Sequence, residues 1–154
     1  MTPTTTDDGP IPLRPLAAEI IVRGVIRRGD EVLLVQSTGA SWWFLPGGHL
    51  EGGESLSQCL VRELIEEARL EVTDLHGLGF IEHSYTDDTG SHHEVNVLIQ
   101  ASPHGEVGAV EDHLTFRWFP VSMLSTLDVR PEGVAATLQR GGPIGRLVVG
   151  NEGI

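Results

Sequence analysis

Lysine is absent from this chain. All ten Lys/Arg cations are arginine, against 22 Asp and Glu, which leaves a formal net charge of -12 over 154 residues. Such a balance argues against nucleic-acid polymers and anionic membrane surfaces as partners. Cysteine is reduced to Cys59, so no disulfide can close within the chain, and this thiol is expected to pack as a small apolar group. No apolar run approaches the roughly 18–20 residues that a membrane span requires. Residues 1–10, rich in Thr, Asp and Pro, contain no apolar segment of the kind a secretory leader needs. A cytoplasmic location is the resulting expectation. The length suits one domain with a sizeable core. Residues 1–15 read as a disordered arm, and residues 16–154 as a single domain.

What is present is a succession of strand-like and helix-like segments. Residues 17–27, rich in Ile and Val, read as a strand, and Arg28-Gly29-Asp30 turns the chain into a return strand over 31–36. Strand-like material follows over 71–83, broken at His76-Gly77. A turn at Asp87-Asp88-Thr89-Gly90 leads into a strong strand over 93–101. A short strand over 115–119 ends at Pro120. A short helix is expected over 121–127, a second starting at Pro131 as its first residue, and a last short strand within 144–149. Strands on both sides of a central helix, followed by C-terminal helices, imply an α/β fold with a mixed sheet between helices.

The central helix is the informative element. Ser55 and Gln58 form an S-x-x-Q capping box, which starts a helix near Leu56 that runs to about Ala68. Leu60, Val61, Leu64, Ile65 and Ala68 form its apolar stripe. Glu63, Glu66 and Glu67 stand at i, i+3 and i+4, on one face and about 5–6 Å apart between neighbouring Cβ atoms. Like charges at that spacing destabilise a helix unless a cation sits among them. A hard divalent ion with oxygen ligands is the natural one, and magnesium commonly arrives with a substrate phosphate. Leu45-Pro46-Gly47-Gly48 is a turn whose glycines allow the backbone to approach a ligand.

The stretch Gly48–Leu70, GHLEGGESLSQCLVRELIEEARL, resembles the Nudix box, G-x5-E-x7-R-E-U-x-E-E-x-G-U. Gly48, Glu54, Arg62-Glu63-Leu64, Glu66-Glu67 and Leu70 match; Arg69 stands where the family has glycine. The resemblance implies an α/β/α sandwich and a hydrolase that cleaves a phosphoanhydride in a nucleoside diphosphate linked to another group. It implies Mg²⁺, with Mn²⁺ as a substitute, held by Glu63, Glu66 and Glu67 with the Gly47 carbonyl. Arg62 would position box carboxylates, and Glu54 would fix the loop to the helix. Glu63 is the first choice of general base, Glu111 the second and also a further metal ligand, and Glu94 the third. Arg117-Trp118-Phe119-Pro120 matches a step common in the family after the last sheet strand.

Trp43 and Tyr85 are candidates for substrate contact, one of Trp42 and Trp43 being expected in the core. Substrate-reading loops are expected over 37–44, 84–92 and 103–113. His92 and His93 point to opposite faces of a strand, which separates them as metal ligands. The proline of ADP-ribose-cleaving members is missing, and a homodimer rests on family resemblance alone. Two rivals remain. One is a catalytically weak Nudix domain that binds nucleotides for regulation, which Arg69 alone favours. The other is a metal-requiring isomerase of similar fold, for which the chain lacks an insertion or second cysteine. At Arg69, either a left-handed residue, costing about 1–2 kcal/mol, or a different helix end is expected.

Overall fold

The computed structural model describes residues 17–141 and 148–151. The arm expected over 1–15 lies outside the described residues. The strands are β1 (Glu19–Arg28), β2 (Glu31–Ser37), β3 (Gly47–His49), β4 (Glu71–Asp87), β5 (Gly90–His104), β6 (Leu114–Pro120) and β7 (Val148–Asn151). The helices are α1 (Leu56–Ala68), α2 (Val134–Arg140) and a 3-10 helix over Val121–Thr126. The strands form one mixed sheet in the order β6-β2-β1-β5-β4-β7, with β3 paired to β1 off that path. β1 runs parallel to β5 and β4 parallel to β7; the other pairs are antiparallel.

Alternation along β1 and β2 sends side chains to two cores, one on each face of the sheet. Val22, Ile26 and Leu33 pack with Cys59, Leu60, Leu64 and Ala68 of α1. Val25, Val32 and Leu34 pack with Leu124 of the 3-10 helix and Val134 and Leu138 of α2. A sheet covered in this way on both faces is the expected α/β arrangement. Of the four wholly buried residues of α1, Leu60 and Leu64 contribute most to holding it, burial of a leucine side chain being worth about 1.5–3 kcal/mol. Gly24 lets α1 sit close, because a Cβ there would lie 2.9 Å from Leu60 Cδ1.

Several elements differ from the sequence reading. Val61 is 40% exposed rather than part of the buried stripe, which is narrower and includes Cys59 instead. Gly47 and Gly48 belong to a short strand, not only to a turn: Arg23 pairs with Gly47 and Val22 with Gly48. Only glycine fits at Gly47, where φ is 141° and a Cβ would lie 1.9 Å from the Val22 carbonyl oxygen. β4 passes through His76-Gly77 without ending, absorbing the irregularity as register shifts at 73/76 and 77/79. The helix expected from Pro131 begins at Val134, and the segment over 121–126 is a 3-10 helix. Of the strand expected within 144–149, residues 148 and 149 lie in β7; residues 144–147 lie outside the described residues.

The two cores separate neighbouring positions of α1 by energy. Leu60→Ala is expected to lower unfolding stability by about 2–5 kcal/mol, and Val61→Ala by under about 1 kcal/mol, in denaturant titrations. Equal losses at the two positions would contradict the packing described.

Candidate active site

Three local devices assemble the box. The capping box begins α1: Gln58 N–H donates to Ser55 Oγ at 3.1 Å, and Ser55 N–H to Gln58 Oε1 at 2.8 Å. The loop before it is fixed by Glu54, whose Oε1 accepts the Glu51 N–H at 2.8 Å. Arg62 then joins loop to helix. Its Nε and Nη2 donate to the two Glu54 oxygens at 3.0 and 2.8 Å, a bidentate fork. Nη1 donates to Glu63 Oε1 at 2.9 Å and Glu66 Oε2 at 3.3 Å, and Nη2 to the His49 carbonyl at 3.2 Å. Bonding to Arg62, then the Glu51 N–H, holds the Glu54 carboxyl down to about 2. In return Glu54 first, and Glu63 after it, push the Arg62 pKa up.

Glu63 and Glu67 face the other side of this cluster. Gly48 makes room for Glu63, since a Cβ there would lie 2.5 Å from its carboxyl. Glu67 Oε2 is buried with no hydrogen-bond partner among the described residues. Burial first, then the Glu63 carboxylate, push the Glu67 carboxyl up to about 8; Arg23 pulls the other way, and Glu111 adds to the rise. So Glu67 is coupled electrostatically to Glu63, Arg23 and Glu111, and Arg23 to Glu63 as well.

Glu111 reaches this group through the helix end. Arg69 adopts the left-handed conformation, φ 49° and ψ 34°, and its N–H donates to the Ile65 carbonyl while Leu70 N–H takes that of Leu64. The first of the two expected outcomes therefore holds: the end that glycine would give is made by arginine. The next carbonyls hold the loop, Ala68 accepting from Gly108 N–H at 2.8 Å and Glu67 from Glu111 N–H at 3.2 Å. Gly108 is what accommodates the side chain at 69, because a Cβ on it would lie 2.8 Å from Arg69 Cβ.

Whether this cluster suits a metal can be judged from its donors. They are carboxylates beside backbone carbonyls, hard oxygen ligands of the kind Mg²⁺ takes. One of them, Glu67 Oε2, is buried and unpartnered among the described residues. Among the described residues, no three metal-ligating side chains already converge on one point; Glu63 and Glu66 are bonded to Arg62. The residues fit a divalent ion, with Glu63, Glu66, Glu67, Glu111 and the Gly47 carbonyl as the available donors.

A cavity of about 610 Å³ opens beside the cluster, lined by Arg23, Trp42, Phe44, His83, Tyr85, Thr86, Glu94, Arg130 and Pro131. Tyr85 is in its wall. Trp43 is not: it packs edge-on to Phe119 at 4.8 Å, and Trp42 lines the cavity. The loop over 37–44 contributes Trp42 and Phe44; the stretch 84–92, expected as a loop, is instead the paired ends of β4 and β5, and contributes Tyr85 and Thr86 from β4; residues 103–113 do not line the cavity. His92 bonds Asp87 and stacks on Tyr85, whereas His93 bonds Ser84, so the two serve different neighbours. Sequence reasoning missed Arg23 and Arg130. Arg23 is the more consequential: half-buried in the middle of β1, it donates to Asn96 Oδ1 at 3.3 Å and the Leu45 carbonyl at 3.2 Å. Burial lowers its pKa, against Glu94, Glu67 and Glu63. An arginine inside an Ile/Val strand was the signal that could have found it.

A two-faced α/β sheet carrying a glutamate-rich helix behind a glycine loop defines the class. The chain belongs to the Nudix family: the model of the NUDIX domain matches residues 17–138. It is 44% identical over 61 residues to the NAD-capped RNA hydrolase NudC of Pseudomonas aeruginosa, covering 36% of this chain and 20% of that protein. It is 30% identical over 110 residues to YjhB of Bacillus subtilis, covering 69% and 52%. The chain thus spans from a fifth to about half the length of these relatives. A MutT protein from Bacillus halodurans superposes with a TM-score of 0.68 at 20% identity, over 85% of each chain, a likeness of fold. No helix among the described residues is long and apolar enough to cross a membrane.

Two outcomes are expected of this geometry. The folded protein keeps the Glu67 proton up to about pH 8, whereas a carboxyl in the unfolded chain releases it near 4.5. Metal-free protein is therefore expected to lose thermal stability as pH rises between those values, and Mg²⁺ to restore more of it at pH 8 than at pH 5. Glu67→Gln removes both effects; a cation effect equal at both pH values contradicts them. Separately, Gly108→Ala is expected to cost about 1–3 kcal/mol, and markedly less when combined with Arg69→Gly. Strict additivity in denaturant midpoints would refute the pairing of these two residues.

Proposed function

We propose that this chain is a Mg²⁺-dependent pyrophosphohydrolase that cleaves a phosphoanhydride of a small nucleoside diphosphate derivative. The observation that carries the reading is the buried Glu67 oxygen, unpartnered among the described residues and coupled through Arg23 to an aromatic cavity that Arg23 lines. When bound, magnesium neutralises charge that grows on the phosphate oxygens and eases ionisation of the attacking water. Glu63, Glu66, Glu67 and Glu111, with the Gly47 carbonyl, would hold it. Arg62 keeps Glu54, Glu63 and Glu66 in place, a positioning role. Arg23, which lines the cavity and acts on Glu63 and Glu67, faces the substrate's phosphate.

Hydrolysis needs a base to take the proton as water's oxygen bonds phosphorus and the bridging P–O bond breaks. Glu63 Oε1 already accepts from Arg62 at 2.9 Å. Glu111 is 42% exposed, lies 3.4 Å from His113 and acts on Glu67 electrostatically. Its carboxylate is the more open to a water, which favours Glu111 over Glu63 as the base; Glu94 lines the cavity, bonded to Tyr85. The relative NudC is named for a nucleotide-capped RNA. The net charge of -12 favours a small nucleotide here over a polymer.

The weaker reading, a regulatory binding module, drew on Arg69 alone, and Arg69 forms the same left-handed end a glycine would. A cytoplasmic enzyme is consistent with the composition. A panel of nucleoside triphosphates, nucleotide sugars and dinucleoside polyphosphates, assayed for phosphate release with and without Mg²⁺, tests the proposal. Turnover of at least one nucleotide is expected only with the ion. Glu111→Gln is expected to lower kcat about 100-fold or more, with the affinity for substrate little changed. No Mg²⁺-dependent turnover of any panel member would sink the proposal.

A further inference from the structure

Two opposite charges line the cavity, with Asn96 between them. Arg23 acts on Glu67 and Glu63 of the carboxylate cluster as well as on Glu94, and phosphate belongs on the cluster's side of it. Glu94 is a carboxylate on β5 with a side chain only 13% exposed. An anionic group cannot be brought against it cheaply, so the substrate's phosphates point away from Glu94 and a neutral part of the substrate points toward it.

Glu94 is held in one orientation. Tyr85 Oη donates to its Oε1 at 3.3 Å, Asn96 Nδ2 to its Oε2 at 3.4 Å, and His83 Nδ1 lies 3.6 Å from Oε2. These contacts are long, and a carboxylate has about four acceptor positions, so its capacity toward a ligand is not used up. Tyr85 is flanked by the rings of His83 at 5.1 Å and His92 at 4.7 Å, both stacked. It therefore serves to fix the carboxylate with its hydroxyl, not as a stacking platform. The platform is Trp42, 37% exposed, which the Arg130 guanidinium overlies at 4.6 Å.

Resting on the nucleotide-hydrolase reading above, we propose that Glu94 determines base specificity. It accepts from adjacent N–H donors of a nucleobase that stacks on Trp42, which is the guanine-type edge of a ring N–H beside an exocyclic amine. A uracil edge places carbonyl oxygens on both sides of its single N–H, and these repel the carboxylate. Asn96 lies between the two charges, since it accepts from Arg23 and donates to Glu94.

Binding of the monophosphates GMP and UMP, measured by calorimetry and by Trp fluorescence without turnover, tests this apart from any activity. Wild-type protein is expected to bind GMP at least about 10-fold more tightly than UMP, the discrimination of a good two-point contact. Glu94→Gln, which replaces one acceptor oxygen by a donor, is expected to bring the two affinities together, leaving the dissociation constant of inorganic pyrophosphate, from the same calorimetry, unchanged. Trp42→Ala is expected to weaken both nucleotides alike. Equal binding of GMP and UMP by the wild type overturns the proposal. So does a Glu94→Gln protein that loses both nucleotides and pyrophosphate together, because Glu94 would then only brace Tyr85 and Asn96. Base selectivity in a protein that hydrolyses nothing would uphold Glu94 while the hydrolase reading fell.

Discussion

The guanidinium of Arg62, divided among Glu54, Glu63, Glu66 and the His49 carbonyl, is what allows a carboxylate-rich helix and a glycine-rich loop to occupy one small volume. Glutamates at i, i+3 and i+4 repel one another on a bare helix. Here one planar cation binds two of them, and its fork on Glu54 ties the loop down at the same time. With Glu63 and Glu66 held on Arg62, Glu67 is left as the buried oxygen donor without a partner. The remainder of the site is arranged around that division: Gly48 gives Glu63 room, and the αL turn at Arg69 presents the Ala68 and Glu67 carbonyls to the loop that carries Glu111.

Strand β1 makes the second contribution. It lies near the middle of the sheet, pairing with β2, β3 and β5. Pairing with β3 brings the glycine loop beside Arg23, and the parallel pairing with β5 brings Asn96 and Glu94 within its reach. A half-buried arginine is costly unless paired and hydrogen-bonded. Arg23 meets that cost with Asn96, the Leu45 carbonyl and the nearby glutamates. The same arrangement sets a cation and an anion into the cavity wall on either side of Asn96.

Local chemistry was legible in the sequence, and long-range pairing was not. The capping box, the extent of α1 and the β1–β2 turn depend on residues within a few positions of one another, and all could be read, whereas two helix ends stayed open at Arg69. Val61 was misplaced because the apolar stripe was drawn one position too wide, with the burial of Cys59 on the opposite border. Gly47-Gly48 was read as a turn because nothing local shows that Val22 and Arg23 lie alongside. Trp42 and Trp43 exchange roles for a similar reason: adjacent residues face opposite ways, and the isolated bridges of Phe44 to Val35 and Trp43 to Val129 decide which one is core. Gly108 carries no motif, and its role follows only from the arginine it accommodates forty positions away in structure-determined contact, not in pattern.

The organising role given to Arg62 differs in a measurable way from simple charge neutralisation. Removing an arginine from a cluster of glutamates makes the site more negative, which by electrostatics alone would tighten a divalent cation. If Arg62 instead holds the carboxylates in a usable arrangement, its loss disperses them. Magnesium binding to wild type and Arg62→Ala, followed by calorimetry at pH 8, separates the two. The positioning role predicts an affinity about 10–100-fold weaker in the variant. Unchanged or tighter binding would contradict it.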